Sequence, residues 1–118
     1  MREVSVNTSK RIRGADVIDP SRLSIKEKES FIDLLYQLHT RIFDGVERAS
    51  FASYVVDSPA DWTRIRVYKN SLNEWVGYCA VHRFDKRVFD RPCAIFRAEA
   101  GILRESILMI GLSLRGGA

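Results

Sequence analysis

Between residues 24 and 43 the apolar positions recur at helical spacing, with Phe31, Leu34, Leu35, Leu38 and Ile42 falling on one face. Ser24-Ile25-Lys26-Glu27 has the form of a capping box, in which serine and glutamate each satisfy a free backbone N–H. Gly45 offers a C-terminal stop. The pattern predicts a helix over roughly 25–43. A shorter helix over 47–55 follows, with Phe51 and Tyr54 on one side, and Asp57-Ser58-Pro59-Ala60-Asp61 reads as a loop.

Beyond residue 62 the period shortens to two. Thr63–Lys69 alternates, with Ile65 and Val67 set against Arg64, Arg66 and Tyr68. Asn70-Ser71-Leu72-Asn73-Glu74 is a hairpin turn by composition, and Trp75–Phe84 is rich in aromatic and β-branched residues, as a central strand should be. The charged groups Asp85-Lys86-Arg87 and Asp90-Arg91-Pro92 bracket a second, longer connection, and a third strand runs from Cys93 to about Leu103. Residues 1–23 are polar and basic, broken by Gly14 and Pro20, with the alternation Val4, Val6 as the one hint of an edge strand. The resulting order is two helices followed by an antiparallel β-meander of three strands, an α+β class. Residues 102–114 fit either a continuing strand or a buried helix.

Composition narrows this picture to one globular domain over residues 1–118. The chain has 118 residues, 46% of them hydrophobic and 29% charged, enough to bury a core without a disulfide or metal staple. A net charge of +4 is mild and falls short of the basic stripe of a dedicated nucleic-acid binder, so no nucleic-acid partner is expected. Cys79 and Cys93 form neither a framework nor a metal motif and read as two small buried hydrophobes. The N-terminal residues lack the apolar core of a signal peptide, and Ile107–Leu112 is too short to span a bilayer. A cytoplasmic protein away from membranes is expected.

Two phrases carry a resemblance. Asn73-Glu74-Trp75-Val76-Gly77-Tyr78 and Arg97-Ala98-Glu99-Ala100-Gly101-Ile102-Leu103-Arg104-Glu105, met in this order of elements, resemble the third and fourth strands of GNAT-superfamily N-acyltransferases. The resemblance spans about residues 24–106 and implies transfer of an acyl group from acyl-CoA, such as acetyl-CoA, to an amine. It implies that the fourth strand splays from a fifth and that its backbone, here Gly101, Ile102 and Leu103, hydrogen-bonds the pantetheine arm. It also implies a general base at Glu99, and Phe43, Phe51 and Tyr54 on the acceptor side. The phosphate-holding loop that the family places next is matched only by Arg115-Gly116-Gly117, several residues late. The expectation is a GNAT-like fold truncated before its cofactor half is complete.

Each of these residues also has a plainer reading. Glu99 is equally an ordinary strand carboxylate paired with Arg97 or Arg64, and Arg115, Gly116 and Gly117 are equally a frayed end. His39 and His82 have no carboxylate or cysteine at metal spacing, so no metal is expected and each reads as a surface or hydrogen-bonded histidine. Trp75, Tyr78 and Phe84 with Arg83, Lys86, Arg87 and Arg91 have the composition of a base-stacking surface, but the odd spacing of Trp75 and Tyr78 sets them on opposite faces. A second reading of another class is a catalytically inactive half-domain that binds a second copy of itself. An uncovered strand edge near Leu103 predicts self-association under either reading.

Overall fold

The computed structural model describes residues 12–106, apart from the side chain of Arg13. Strand β1 (Ile12–Ile18) leads through a 3-10 turn (Pro20–Arg22) into helix α1 (Ile25–Ile42). Helix α2 (Arg48–Phe51) runs directly into one π-helical stretch (Ala52–Val56), and strands β2 (Trp62–Asn70), β3 (Trp75–Val88) and β4 (Arg91–Ile102) complete an antiparallel sheet in the order β1-β2-β3-β4. The class is α+β, with the helices laid over one face of the sheet. Among the described residues no helix is long and apolar enough to cross a membrane.

Helix α1 starts where the capping box puts it. The Glu27 N–H donates to Ser24 Oγ at 3.1 Å, and the Ser24 N–H donates to Glu27 Oε1 at 2.8 Å. The buried stripe is Phe31, Ile32, Leu35, Leu38 and His39, so Leu34 points away and half of it is exposed. Arg48 at the start of α2 holds Glu29 and Asp33, and Lys28 holds Asp57 beyond the π-turn at 2.8 Å. Both ends of this short segment are thereby tied to α1, and Phe51, Val55 and Val56 are pressed into the core.

Three features of the sheet depart from the pattern reading. The polar segment before Pro20 contributes a fourth strand, because β1 pairs with β2 from Ile12 opposite Asn70 to Ile18 opposite Ile65. Residues 85–92 are no long connection. β3 and β4 pair without interruption out to Val88 opposite Arg91. Phe89 and Asp90 make the two-residue turn between them, both with positive φ (50° and 63°), as a type I′ hairpin turn requires. No glycine or asparagine marks this turn, which is why composition missed it.

The third departure is a β-bulge. Lys69 faces Trp75, yet Tyr68 faces Gly77, so β3 holds one residue more than β2 at this point. Trp75 therefore sits on the same side as Val76 and Tyr78. It packs on Phe31 with ring centroids 5.7 Å apart, whereas alternation alone sets it on the opposite face from Tyr78. Both aromatics are covered by the helix layer, so neither offers a stacking surface. Cys79 and Cys93 do lie on the neighbouring strands β3 and β4, but Cys93 is exposed and only Cys79 is half-buried.

Gly77 lies where β3 and β4 approach closely. A Cβ placed there meets the Gly101 carbonyl oxygen at 3.0 Å and Ile102 Cγ1 at 3.1 Å, whereas one at Gly14 meets nothing within 4 Å. We expect Gly77→Ala to lose about 1–3 kcal/mol of stability in chemical denaturation, as an overpacked position does, and Gly14→Ala to lose far less.

Candidate functional site

Three adjacent strands bring one polar side chain each to the helix-facing side of the sheet. Thr63 on β2 lies opposite His82 on β3, and Glu99 on β4 lies opposite Ala80, one step along the same face. The side chains join into a chain. Thr63 Oγ1 is 2.9 Å from His82 Nδ1, and His82 Nε2 is 2.6 Å from Glu99 Oε1. His82 is fully buried, so both ring nitrogens need partners. A carboxylate only accepts, so Nε2 carries a proton toward Glu99, and in the neutral ring Nδ1 accepts from the Thr63 hydroxyl. The imidazole thus fixes the position of one carboxylate oxygen.

The other oxygen, Oε2, stands 3.4 Å from Arg97 Nε. Arg97 also donates to the Tyr54 carbonyl and lies 3.7 Å above the Tyr54 ring, so it joins β4 to the π-turn. Arg64, the other cation weighed for Glu99, is engaged by Asp19 at 3.2 Å instead.

Glu99 opens onto a cavity of about 500 Å³ between the helices and the sheet, within the range of small-ligand sites. Its walls include Phe43, Val46, Phe51, Tyr54 and Val55, with His39 and Tyr78 on the inner side and Asp44 and Ser50 completing the lining. Val46 is held in place by the Tyr36 hydroxyl, which donates to its carbonyl at 2.7 Å. The expected acceptor-side residues Phe43, Phe51 and Tyr54 do line one cavity, although Phe51 is also a core residue.

Tyr78 and His39 form a second polar pair beside Glu99. The Tyr78 hydroxyl is 3.0 Å from His39 Nδ1. Burial, and secondarily the negative charge of Glu99, push the phenol pKa up to about 12, so it remains a hydroxyl at neutral pH. Burial lowers the pKa of His39, whose ring packs at a tilt 4.6 Å from Phe51 and 5.0 Å from Phe43 between centroids. With the phenol donating to Nδ1, the neutral ring carries its proton on Nε2, and that atom is buried with no hydrogen-bond partner among the described residues.

The strand positions named for the cofactor divide by side. The Leu103 N–H donates to the Val76 carbonyl at 2.8 Å, so it turns toward β3. Backbone groups alternate along a strand, so Gly101 turns inward as well, while the amides and carbonyls of Ile102 and Ala100 turn to the outer edge. Among the described residues no strand pairs with that edge. The Leu103 side chain belongs to the core, and Gly101 is the close approach for Phe43, whose Cε2 lies 2.6 Å from where a Cβ would stand. Arg115, Gly116 and Gly117 lie outside the described residues. Among the described residues no group of three or more His, Cys, Asp or Glu side chains could hold a metal ion.

Sequence reasoning reached Glu99 and its neighbour Arg97, and missed His82 and Thr63. Counting back from Lys69 opposite Trp75 sets Val81 against Thr63, and the extra residue of the bulge brings His82 there instead. His39 sits at an i, i+4 and i, i+8 position from Leu35 and Phe31, a periodicity that marks it as a stripe residue. No family model, curated protein or solved structure matches this chain.

The lowered His39 pKa fixes the sign of one pH effect. In the unfolded chain the imidazole takes its proton near the usual ~6.5, before the folded state does. Stability therefore falls as pH is lowered through that value and levels off below the folded-state pKa. Chemical denaturation at pH 7 and pH 5 should show this decline in the wild type and a shallower one in His39→Phe.

Proposed function

We propose that this chain is an acyl-CoA-dependent N-acyltransferase domain, with Glu99 as the base that takes the proton of an acceptor amine. The observation that supports the reading is the Glu99 carboxylate held by His82 at the inner end of an apolar cavity open to a small ligand. A base has to meet the proton it removes within hydrogen-bond reach, and an apolar wall around it keeps water from competing.

Acyl-CoA, when bound, supplies an activated thioester carbonyl. The outer edge of β4 fits it, because the Ile102 and Ala100 amides turn outward there and a thioester arm laid along the strand would accept from them. Glu99 receives the amine proton as the nitrogen attacks the carbonyl carbon, the C–S bond breaks as the new C–N bond forms, and CoA leaves as the thiolate, which takes up a proton to become the free thiol. His82 keeps Oε1 in place, and Arg97 ties the cavity wall at Tyr54 to β4 beside the carboxylate. Calorimetric titration with acetyl-CoA should show saturable heat, and Glu99→Gln should lower kcat for acetyl transfer about 10²–10⁴-fold while leaving acetyl-CoA binding intact. The absence of any heat with acetyl-CoA overturns the reading.

A second reading has its own support. The outer edge of β4 carries exposed Ile95 and Phe96, 48% and 61% accessible, beside unpaired backbone groups among the described residues. Such an edge is a template for pairing with another copy. Under this reading the chain is an inactive GNAT-like half-domain that self-associates through its sheet. Equilibrium sedimentation at micromolar concentration should then report a dimer, and a clean monomer rules it out.

A further inference from the structure

We infer that the ligand of the Glu99 cavity is a lipophilic monoamine: a primary ammonium on an aromatic or branched-alkyl body, seated with its charged end toward Glu99. The inference rests on the acyltransferase reading for what becomes of the amine, but the binding it describes is independent of any transfer.

The cavity joins one half-buried carboxylate to a largely apolar wall. Glu99 is 20% exposed, with Oε1 taken by His82 and Oε2 close to Arg97 at 3.4 Å. Each carboxylate oxygen accepts more than one hydrogen bond, so an N–H of an ammonium can be added without displacing either partner. A cation that gives up part of its hydration against a largely apolar wall needs a charged partner, and Glu99 supplies one. Past the carboxylate the ligand meets Phe43, Phe51, Tyr54 and Val55. Phe43 and Tyr54 are 41% and 53% exposed, apolar surface that an apolar body would cover.

The same arrangement disfavours a polyamine. Its second ammonium would lie against the aromatic wall unpaired, or reach Asp44, which is exposed and hydrated and so worth little as a partner. The Arg97 guanidinium beside Glu99 opposes additional positive charge.

The test is calorimetric titration of the whole chain, without any acyl-CoA, with 2-phenylethylamine, with its alcohol analogue 2-phenylethanol, and with putrescine. 2-Phenylethylamine should bind at least about tenfold more tightly than either comparator. Glu99→Gln should weaken it at least about tenfold, and Tyr54→Ala, at a half-exposed position outside the buried core, should weaken it while thermal unfolding stays cooperative. Putrescine binding as tightly as 2-phenylethylamine, an unaffected Glu99→Gln, or no amine binding at all overturns the inference. Amine binding without acetyl transfer overturns only the acyltransferase reading. Transfer to putrescine in preference to 2-phenylethylamine overturns only the inference.

Discussion

One extra residue at Trp75–Val76 decides which side chains of β3 meet the helices. In a strand the side-chain period is two, so a shift of one residue against β2 exchanges the inner and outer sets. With the bulge, Val76, Tyr78, Ala80 and His82 line the inner face opposite Tyr68 through Thr63. Trp75 joins them and closes the end of the core against Phe31. The turn beyond it is pinned independently, since the Asn70 side chain accepts from the N–H groups of Leu72 and Glu74 and donates to the Glu74 carboxylate. Turn and strand are thus each fixed, and the bulge reconciles their registers.

The cost of placing an imidazole in this core is met across the sheet rather than within β3. A buried polar group without a partner is expensive, and His82 finds one partner on each flanking strand. This makes Glu99 a strand carboxylate with a determinate orientation, in contrast to a solvated one that samples many rotamers. Arg97 extends the same network to the π-turn, so the sheet and the cavity wall share one set of polar contacts. Tyr78 and His39 repeat the device between sheet and helix.

Much of the architecture was legible in the residues. The capping box at Ser24–Glu27, the hairpin at Asn70–Glu74 and the order of helices and strands follow from local chemistry that acts over a few residues. What was hidden depends on long-range pairing. β1 reads as polar because its core-packing residues Ile12 and Ile18 sit at its ends, with the exposed Gly14 to Val17 between them. The Phe89-Asp90 turn puts a phenylalanine at positive φ, and the ladder on either side imposes that conformation on it. At the site, Glu99 could be named from a short phrase, whereas His82 and Thr63 became its partners only through the bulge, which nothing in the local composition announces. The comparison of Leu34 with His39 is instructive too: the more apolar residue is outside and the titratable one inside, because angular position on α1 outweighs side-chain type.

The hairpin of β3 and β4 is one continuous ladder with two very different surroundings. Near Tyr78 and Gly101 its rungs lie under the helices, and opening them means unpacking the core. Near Val88 and Arg91 every residue is exposed, and opening a rung disturbs only its neighbours. Exchange lifetimes of the backbone amides therefore grade along a single pair of strands, from those set by global unfolding at one end to those set by fraying at the other. His82 is the last buried residue of β3, so the carboxylate it holds lies where the protected stretch of the ladder gives way to the exposed ribbon.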